Sequence, residues 1–311
     1  MSSPTYVFGP VPSRRLGRSL GVDLIPMKTC PLDCVYCQLG RTTNRTIERK
    51  VHVPVEDVVA QVRDTIRHGA RPDVITLSGS GEPTLHAAFG DVLDGIRSFT
   101  DTRRVLLTNG TLFTDPDVRR AAAKADLVIP SLDAADEAGF QAVNRPHPDL
   151  RFEGLVDGLA AFRKEFSGEL WLEVFLLEGV TGDEDTVRRM LPHIERIRPD
   201  HIQINTAVRP PADADARPVP EARLHRLAEI LGPKAEVIAR FHAAEREADF
   251  RARKDDVLAF LRRRPGSVED IAGGLGIHRN EAVKYIDELQ RDDAIQSESR
   301  GGITYYMARP S

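Results

Sequence analysis

The three cysteines of the chain lie within eight residues, at Cys30, Cys34 and Cys37, in a C-x3-C-x2-C spacing. Thiols this close together indicate one shared metal centre. Three thiolates bind three irons of a cubane iron–sulfur cluster and leave the fourth iron open for another ligand. A zinc site would need a fourth ligand from elsewhere, and His52 is the nearest candidate. A disulfide framework is not expected, because the cysteine count is odd. We therefore expect an iron–sulfur cluster, with zinc as the alternative.

A second group of candidate residues lies in the run Ser78-Gly79-Ser80-Gly81-Glu82-Pro83. Glycine has no Cβ and lets the backbone approach a ligand closely. Glu82 offers a carboxylate for an ammonium group, and between Gly81 and Pro83 it has little evident structural purpose. Asn109 with Gly110 is a further candidate, although this pair is also a common turn former. Ser131 and Asp133 complete the group, with packing and helix capping as their structural alternatives.

Arginines flank the expected mouth of this site. Arg14 and Arg15 precede the first predicted strand, Arg41 follows the cysteines, and Arg145 precedes a proline. The planar guanidinium group binds phosphate or carboxylate in a bidentate manner. These four residues are therefore candidate ligands of an anionic substrate. A solvated rim or internal salt bridges are the structural alternatives.

The elements that must position these residues follow a regular alternation along the chain. The predicted strands are Gly21–Ile25, Val74–Ser78, Arg104–Thr108, Leu127–Leu132, Glu169–Leu177 and His201–Thr206. The predicted helices are Glu56–His68, Phe89–Phe99, Pro116–Lys124, Phe152–Phe166, Glu184–Ile197 and Glu221–Leu231. This β-then-α order predicts an α/β fold, a partial (β/α)6 TIM-like barrel with parallel strands. Ligands of such folds bind at the carboxyl ends of the strands, where the candidate residues lie.

A different pattern begins near residue 240. Residues 241–254 form a charged, helix-prone connector, and three helices are then predicted at Asp255–Arg264, from Ser267, and at His278–Arg291. Ile295–Met307 alternates around a Gly301-Gly302 pair, which predicts a hairpin. This order is typical of a small winged helix-turn-helix domain. We therefore expect a barrel at 1–240, a connector at 241–254 and a winged-helix domain at 255–311.

The third of these helices would be the recognition helix of a DNA-binding domain, beginning with His278, Arg279, Asn280 and Lys284. Residues 254–311 hold nine Lys and Arg against ten Asp and Glu. A net charge of −1 lacks the basic footprint of a duplex binder, so specific DNA binding is not expected. Binding of RNA or a peptide substrate, or a packing or dimer role, stays open.

The composition is that of an ordinary globular protein, with 41% hydrophobic and 29% charged residues and a net charge of −4. No apolar run is long enough for a transmembrane helix, so no membrane association is expected. The first residues do not form a signal peptide. Reduced thiols in such a chain predict a cytoplasmic location.

The cysteine loop, with Tyr36 before its last cysteine, and the Gly-Ser-Gly-Glu-Pro run one βα unit later together resemble the radical S-adenosylmethionine (SAM) superfamily. The resemblance covers roughly residues 8–208. It implies that Cys30, Cys34 and Cys37 bind a [4Fe–4S] cluster whose open iron is chelated by SAM. It further implies reductive cleavage of SAM to a 5′-deoxyadenosyl radical that abstracts hydrogen from a substrate, with a reductant such as flavodoxin or ferredoxin. The implied SAM-binding residues are Tyr36, Gly79, Ser80, Gly81, Glu82, Asn109, Ser131, Asp133 and Asn205.

Within that superfamily, Ser131-Leu-Asp-Ala and a downstream Asn144-Arg-Pro resemble the wyosine-synthase-like branch. The opening run from Gly9 resembles a bacterial and archaeal subgroup. A wyosine synthase carries a second cubane cluster, for which this chain has no further cysteines. The tricyclic-base reaction is therefore not expected, and the substrate is left as a nucleic-acid base, a peptide or a phosphorylated metabolite. The alternative function is an iron–sulfur redox-sensing DNA-binding regulator, in which the Gly79–Pro83 run would have no use.

Overall fold

The structure is a computed structural model that describes residues 6–13, 15–207, 211–238, 248–263, 265–275, 277–300 and 303–309. Three sequence predictions lie outside these residues. They are Arg14, the Gly301-Gly302 turn and the connector between residues 241 and 247.

An eight-stranded, mostly parallel sheet organises the larger part of the chain. Its strands are β1 (Val7–Ser13), β2 (Gly17–Val22), β5 (Val74–Leu77), β6 (Arg103–Thr108), β7 (Leu127–Pro130), β8 (Glu169–Leu176), β9 (His201–Thr206) and β10 (Ala235–Val237). They are ordered β1-β2-β5-β6-β7-β8-β9-β10. Only the β1–β2 pair is antiparallel, and the other neighbours are parallel. Two short strands, β3 (Thr29–Cys30) and β4 (Asn44–Arg45), pair with each other within the cysteine region.

Helices connect the parallel strands and cover the sheet. They are α1 (Val55–Arg67), α2 (Phe89–Arg97), α3 (Pro116–Ala122), α4 (Glu137–Asn144), α5 (Phe152–Glu165), α6 (Glu184–Ile197) and α7 (Glu221–Leu231). Their apolar faces pack with the strands into one large core that includes Leu77, Leu106, Phe113 and Phe162. Side-chain caps fix the first turns of several helices. At α6, for example, the Asp183 side chain accepts a hydrogen bond from the Thr186 N–H at 2.8 Å. The α/β fold with a mostly parallel sheet is thereby confirmed.

The six predicted strands and six predicted helices of this part are all present, three of them with the predicted bounds (Glu184–Ile197, His201–Thr206 and Glu221–Leu231) and the others with shifted ends. The largest shift is in the first predicted strand, which runs over Gly17–Val22 instead of Gly21–Ile25. Strands β1, β3, β4 and β10 and helix α4 were not predicted. The prolines at positions 10 and 12 are the reason that β1 was not predicted. Proline has no backbone N–H donor and is tolerated in a strand only where no such donor is needed, as at the sheet edge that β1 forms.

The C-terminal part consists of three helices followed by an antiparallel hairpin. The helices are α8 (Ala248–Arg263), α9 (Val268–Leu275) and α10 (Arg279–Arg291), and the hairpin strands are β11 (Ile295–Arg300) and β12 (Ile303–Ala308). Helix α8 begins within the predicted connector, seven residues before the predicted start. These elements have a core of their own, which includes Leu261, Ile271, Ile286 and Tyr306. None of the described helices combines the length and apolar character needed to cross a membrane.

Candidate active site

A cavity of about 410 Å³ opens at the carboxyl ends of the parallel strands. Its lining brings together most of the residues that the sequence analysis selected. These are Cys30, Cys34, Tyr36, Cys37, Gly79, Ser80, Gly81, Ser131, Asn205 and Arg15. The predicted convergence of the cysteine loop with the ends of several strands is therefore present in the fold.

The three cysteines are free thiols in the wall of this cavity. Burial raises the pKa of each thiol above its ordinary value, and nearby acidic groups raise the pKa of Cys30 and Cys34 further. Two amide side chains approach the sulfurs: Asn109 Nδ2 lies 3.5 Å from Cys30 Sγ, and Asn144 Nδ2 lies 3.4 Å from Cys34 Sγ. Both amides donate to sulfur, and the hydrogen bond from Asn144 lowers the pKa of Cys34 against the larger rise that burial causes.

This donor set fits an iron–sulfur cluster better than a single ion. Among the described residues, no three His, Cys, Asp or Glu side chains are placed to bind one metal ion. His52, the proposed fourth zinc ligand, lies next to His86 with ring centroids 6.4 Å apart, and it does not line the cavity of the cysteines. A cubane places each cysteine on its own iron and does not require the sulfurs to converge on one atom. The geometry therefore does not support the zinc alternative.

The Gly79–Gly81 segment is held closely against the cysteine region by the protein itself. A Cβ on Gly79 would lie 2.1 Å from Asp23 Oδ1, and a Cβ on Gly81 would lie 2.0 Å from the Thr29 carbonyl oxygen. Between them, the Ser80 hydroxyl donates to Asp23 Oδ2 at 2.5 Å. The glycines are therefore required by this packing, in addition to any approach of a ligand.

Glu82 has a structural role that the sequence argument did not foresee. Its Oε1 accepts hydrogen bonds from the Thr84 N–H, the Thr84 hydroxyl and the Thr108 hydroxyl at 3.1, 2.7 and 2.6 Å. Its Oε2 accepts from the Asn109 N–H at 2.7 Å. The carboxylate is 3% exposed, and burial raises its pKa. Glu82 thus ties the ends of β5 and β6 together behind the cavity, and it is not one of the described lining residues.

Asp133 also lies one layer behind the cavity, where it orients other residues. The Tyr36 hydroxyl and Asn144 Nδ2 donate to its Oδ2, and the Phe175 N–H donates to its Oδ1 at 3.1 Å. Burial is the main reason that the pKa of Asp133 rises to about 6. The Tyr36 ring stacks on Phe175 with centroids 3.8 Å apart. Asp133 therefore fixes an aromatic platform in the cavity and the amide that contacts Cys34.

The interior of the sheet contributes a polar cluster centred on Glu173. Arg15 Nη1 donates to Glu173 Oε2 at 2.6 Å and to Gln203 Oε1 at 3.1 Å. Asn205 Nδ2 donates to Glu173 Oε1 at 3.0 Å. Because the side chains of Arg15 and Glu173 are only 14% and 17% exposed, their ion pair is a partly desolvated feature of the cavity wall.

The other two described candidate arginines do not line the cavity. Arg41 pairs with Asp33 and with Asp213, each at 2.9 Å, and Arg145 pairs with Asp213 at 2.6 Å. The Asp213 N–H also donates to the Val35 carbonyl at 2.9 Å. These contacts make Arg41 and Arg145 parts of a clamp around the cysteine loop, which is the internal salt-bridge alternative of the sequence analysis.

The last wall of the cavity comes from the C-terminal part of the chain. Asn280, Val283 and Lys284, from the first two turns of α10, line the same cavity as the cysteines. Asn280 and Lys284, two of the predicted recognition residues, therefore face the cavity. Sequence reasoning missed this contact because no local pattern links α10 to a strand more than 250 residues earlier.

Two further residues were missed although the sequence carried a signal for them. Glu173 and Gln203 are polar residues in strands whose alternate positions, such as Leu172, Val174 and Ile202, are fully buried apolar residues. Because successive side chains of a strand point to opposite faces, Glu173 and Gln203 lie on the face opposite these apolar residues, inside the barrel-like sheet. Asn205, which was predicted, belongs to the same set.

Comparison with known proteins identifies a shared family. The sequence profile of the Radical SAM superfamily matches residues 24–191. The UPF0026 protein of Methanocaldococcus jannaschii is 36% identical over 238 residues, which cover 76% of this chain and 73% of that protein. A protein named GTPase Obg from Brachyspira hyodysenteriae is 31% identical over 303 residues, and the match covers 96% of this chain but only 45% of that protein.

A solved structure supports the fold. The crystal structure of a radical SAM methyltransferase from Sphaerobacter thermophilus superposes with a TM-score of 0.54 at 20% identity. The match covers 73% of this chain and 67% of that chain. An identity this low shows the shared architecture and does not transfer the reaction.

Proposed function

The chain belongs to the radical SAM superfamily, whose members are enzymes that bind a [4Fe–4S] cluster and SAM, and we propose that Cys30, Cys34 and Cys37 bind that cluster here. The observation that carries this proposal is the common cavity of the three thiols and the Gly79–Gly81 strand end. Held there, the cluster would supply one electron for reductive cleavage of the sulfonium C–S bond of SAM, which would give methionine and a 5′-deoxyadenosyl radical able to take a hydrogen atom from the substrate. The electron comes from an external reductant of the flavodoxin or ferredoxin class.

The chain's own residues prepare this site in three ways. Asn109 and Asn144 donate to the sulfurs of Cys30 and Cys34, which offsets part of the cost of burying these sulfurs as thiolate ligands. The backbone of Gly79–Gly81 and the ring of Tyr36 form adjoining walls for SAM. Ser131 and Asn205 complete the wall from neighbouring strands, and Glu82 and Asp133 hold this wall from behind.

The substrate is a nucleic-acid base, a peptide or a phosphorylated metabolite that reaches the cavity in which SAM would lie. Arg15 is the one described candidate arginine that faces this space, although it is paired with Glu173. The wyosine-synthase-like branch, the cytoplasmic location and the winged-helix assignment of α8 to β12 belong to this proposal. The order of three helices and a hairpin around a separate core supports the last of these.

A redox-sensing DNA-binding regulator is less well supported. The residues that would read DNA are His278, Arg279, Asn280 and Lys284. Of these, His278 lies against Asp23, and Asn280 and Lys284 line the cavity. A helix in that orientation does not present its first turns to a major groove.

Anaerobic reconstitution tests the proposed function. The wild-type protein, loaded with iron and sulfide, should show the visible absorption of an iron–sulfur cluster and form 5′-deoxyadenosine from SAM with dithionite. Cys34→Ala should abolish both signals, and Arg120→Ala, at an exposed surface position, should leave both unchanged. Wild-type protein that binds zinc instead of iron, or that forms no 5′-deoxyadenosine, would overturn the proposal.

A further inference from the structure

The first turns of α10 form the cavity wall that is most distant in sequence from the cysteines. Asn280, Val283 and Lys284 share the lining with Cys30 and Gly81. The C-terminal helices therefore contribute directly to the site, although they have a hydrophobic core of their own. What holds α10 in this position decides whether the cavity is closed.

His278, which precedes α10, contacts two residues of the barrel, Asp23 and Phe8. Its Nδ1 accepts the Asn280 N–H at 3.2 Å, which caps the helix. Its Nε2 lies 3.1 Å from Asp23 Oδ2. An imidazole that accepts at Nδ1 carries its hydrogen on Nε2, so the neutral ring donates to the Asp23 carboxylate without needing a second proton. The same ring stacks on Phe8, with centroids 4.5 Å apart and an interplanar angle of 8°.

Asp23 connects this contact to the proposed SAM site. Its two oxygens accept from the Ser80 hydroxyl at 2.5 Å and from the Ser80 N–H at 3.1 Å. The carboxylate is buried at 7% exposure, at the end of β2. One side chain therefore joins the Gly79–Gly81 segment to the cap of α10.

We propose that His278 is a positioning residue that holds α10 over the cavity through Asp23 and Phe8, so that the C-terminal helices close the site in which SAM reacts. This inference rests on the proposed function. A closed site excludes water and prevents side reactions of a reactive intermediate. The C-terminal part of the chain is thereby a component of the active site, and its contact with Asp23 is the element that controls access.

Two substitutions at one position separate the helix cap from this contact. Asparagine is among the best N-cap residues, so His278→Asn keeps the cap of α10 but is too short to reach Asp23. His278→Ala removes both. Arg309→Ala breaks only an exposed pair with Asp293 elsewhere in the same part of the chain and is the matched control.

Hydrogen exchange of the full-length, cluster-loaded protein without SAM tests the attachment. Amides 279–284 should exchange at least about tenfold faster in His278→Asn than in the wild type or in Arg309→Ala. Amides of α5 should not change. Unchanged exchange of α10 in His278→Asn would show that the contact with Asp23 does not hold the helix, and would overturn the inference.

Release of labelled SAM from the same proteins tests the closure. Dissociation should be at least about tenfold faster from His278→Asn and from His278→Ala, and unchanged in Arg309→Ala. Wild-type protein that does not retain SAM at all would overturn the proposed function itself. If the wild type retains SAM and His278→Asn releases it at the same rate, the proposed function stands and the closing role of α10 is refuted.

Discussion

Replacing Asp213 with asparagine should loosen the cysteine loop, because the Asp213 carboxylate pairs with Arg41 at 2.9 Å and with Arg145 at 2.6 Å. The substitution removes the charge and keeps the shape. It also keeps the backbone hydrogen bond from the Asp213 N–H to the Val35 carbonyl. Asp213→Asn therefore isolates the two ion pairs, and it tests whether the arginines are structural or bind a substrate.

The magnitude follows from exposure. The side chain of Asp213 is 21% exposed, and those of Arg41 and Arg145 are 45% and 33% exposed. Ion pairs that water reaches contribute about 0.2–1 kcal/mol each. The amide oxygen of asparagine still accepts a hydrogen bond, which offsets part of the loss. Breaking the two ion pairs should therefore lower the free energy of unfolding by about 1 kcal/mol. The loss should shrink in high salt.

A double-mutant cycle in urea unfolding provides the measurement. Arg145→Ala should cost a similar amount, and combining it with Asp213→Asn should cost about 0.5 kcal/mol less than the two single effects together, because the pair can be lost only once. Iron bound per chain after reconstitution should fall in both single variants. Glu165→Gln, which affects a pair with Arg119 on the outer helices, should leave the iron content unchanged. Additive energies with normal iron content would refute the clamp and favour a substrate role.

Three further predictions concern the cavity wall and the residues behind it. Gly81→Ala should destabilise the protein by about 3 kcal/mol in urea unfolding, because the added Cβ would meet the Thr29 carbonyl oxygen. In contrast, a Cβ added at Gly273 on α9 has no atom within 4 Å, so Gly273→Ala should stabilise the protein by about 0.5–1 kcal/mol. Asn109→Ser removes an N–H donor to Cys30 that stabilises the reduced cluster by about 1 kcal/mol. The midpoint potential of the cluster should therefore fall by about 40 mV in an EPR-monitored redox titration. The native pKa of Asp133 is raised from 3.8 to about 6, so the folded state binds the extra proton, and the contribution of Asp133 to stability should fall by about 3 kcal/mol in all as pH rises through that window. Asp133→Asn should remove this contribution, so the difference in unfolding free energy between the cluster-free wild type and the variant should fall over the same window, and a difference that rises would contradict the raised pKa.

The elements of the sheet were predictable because burial leaves a clear pattern. Strand β5 is four consecutive buried residues, and α6 and α7 keep an apolar stripe between recognisable ends, so their predicted bounds are those observed or close to them. Strand β10 has only three residues, none of them buried. It forms because β9 offers an unpaired edge beside it, which is tertiary information that a three-residue pattern does not carry.

The candidate site was predictable to the extent that its residues follow strands directly. The cysteines, Gly79–Gly81 and Ser131 meet in the cavity for that reason, and Asn205 joins them from within β9. The roles of Glu82 and Asp133 were less accessible, because a carboxylate at a strand end serves equally well as a ligand group or as an acceptor for neighbouring donors. Only the positions of Thr84, Thr108 and Asn109 around Glu82 favour the structural role.

The orientation of α10 connects the charge of the C-terminal part with its place in the fold. A domain that reads DNA needs a basic, exposed recognition helix, yet residues 254–311 carry a net charge of −1 and α10 turns its first residues inward. The net charge and the inward orientation are both explained if α10 serves to line a cavity and not to bind a phosphate backbone. Its N-cap is then a histidine because that residue caps the helix with one ring nitrogen and reaches Asp23 with the other. Serine or asparagine would cap equally well and reach nothing. The contact with the barrel thus explains why position 278 is a histidine, since capping the helix does not by itself require one.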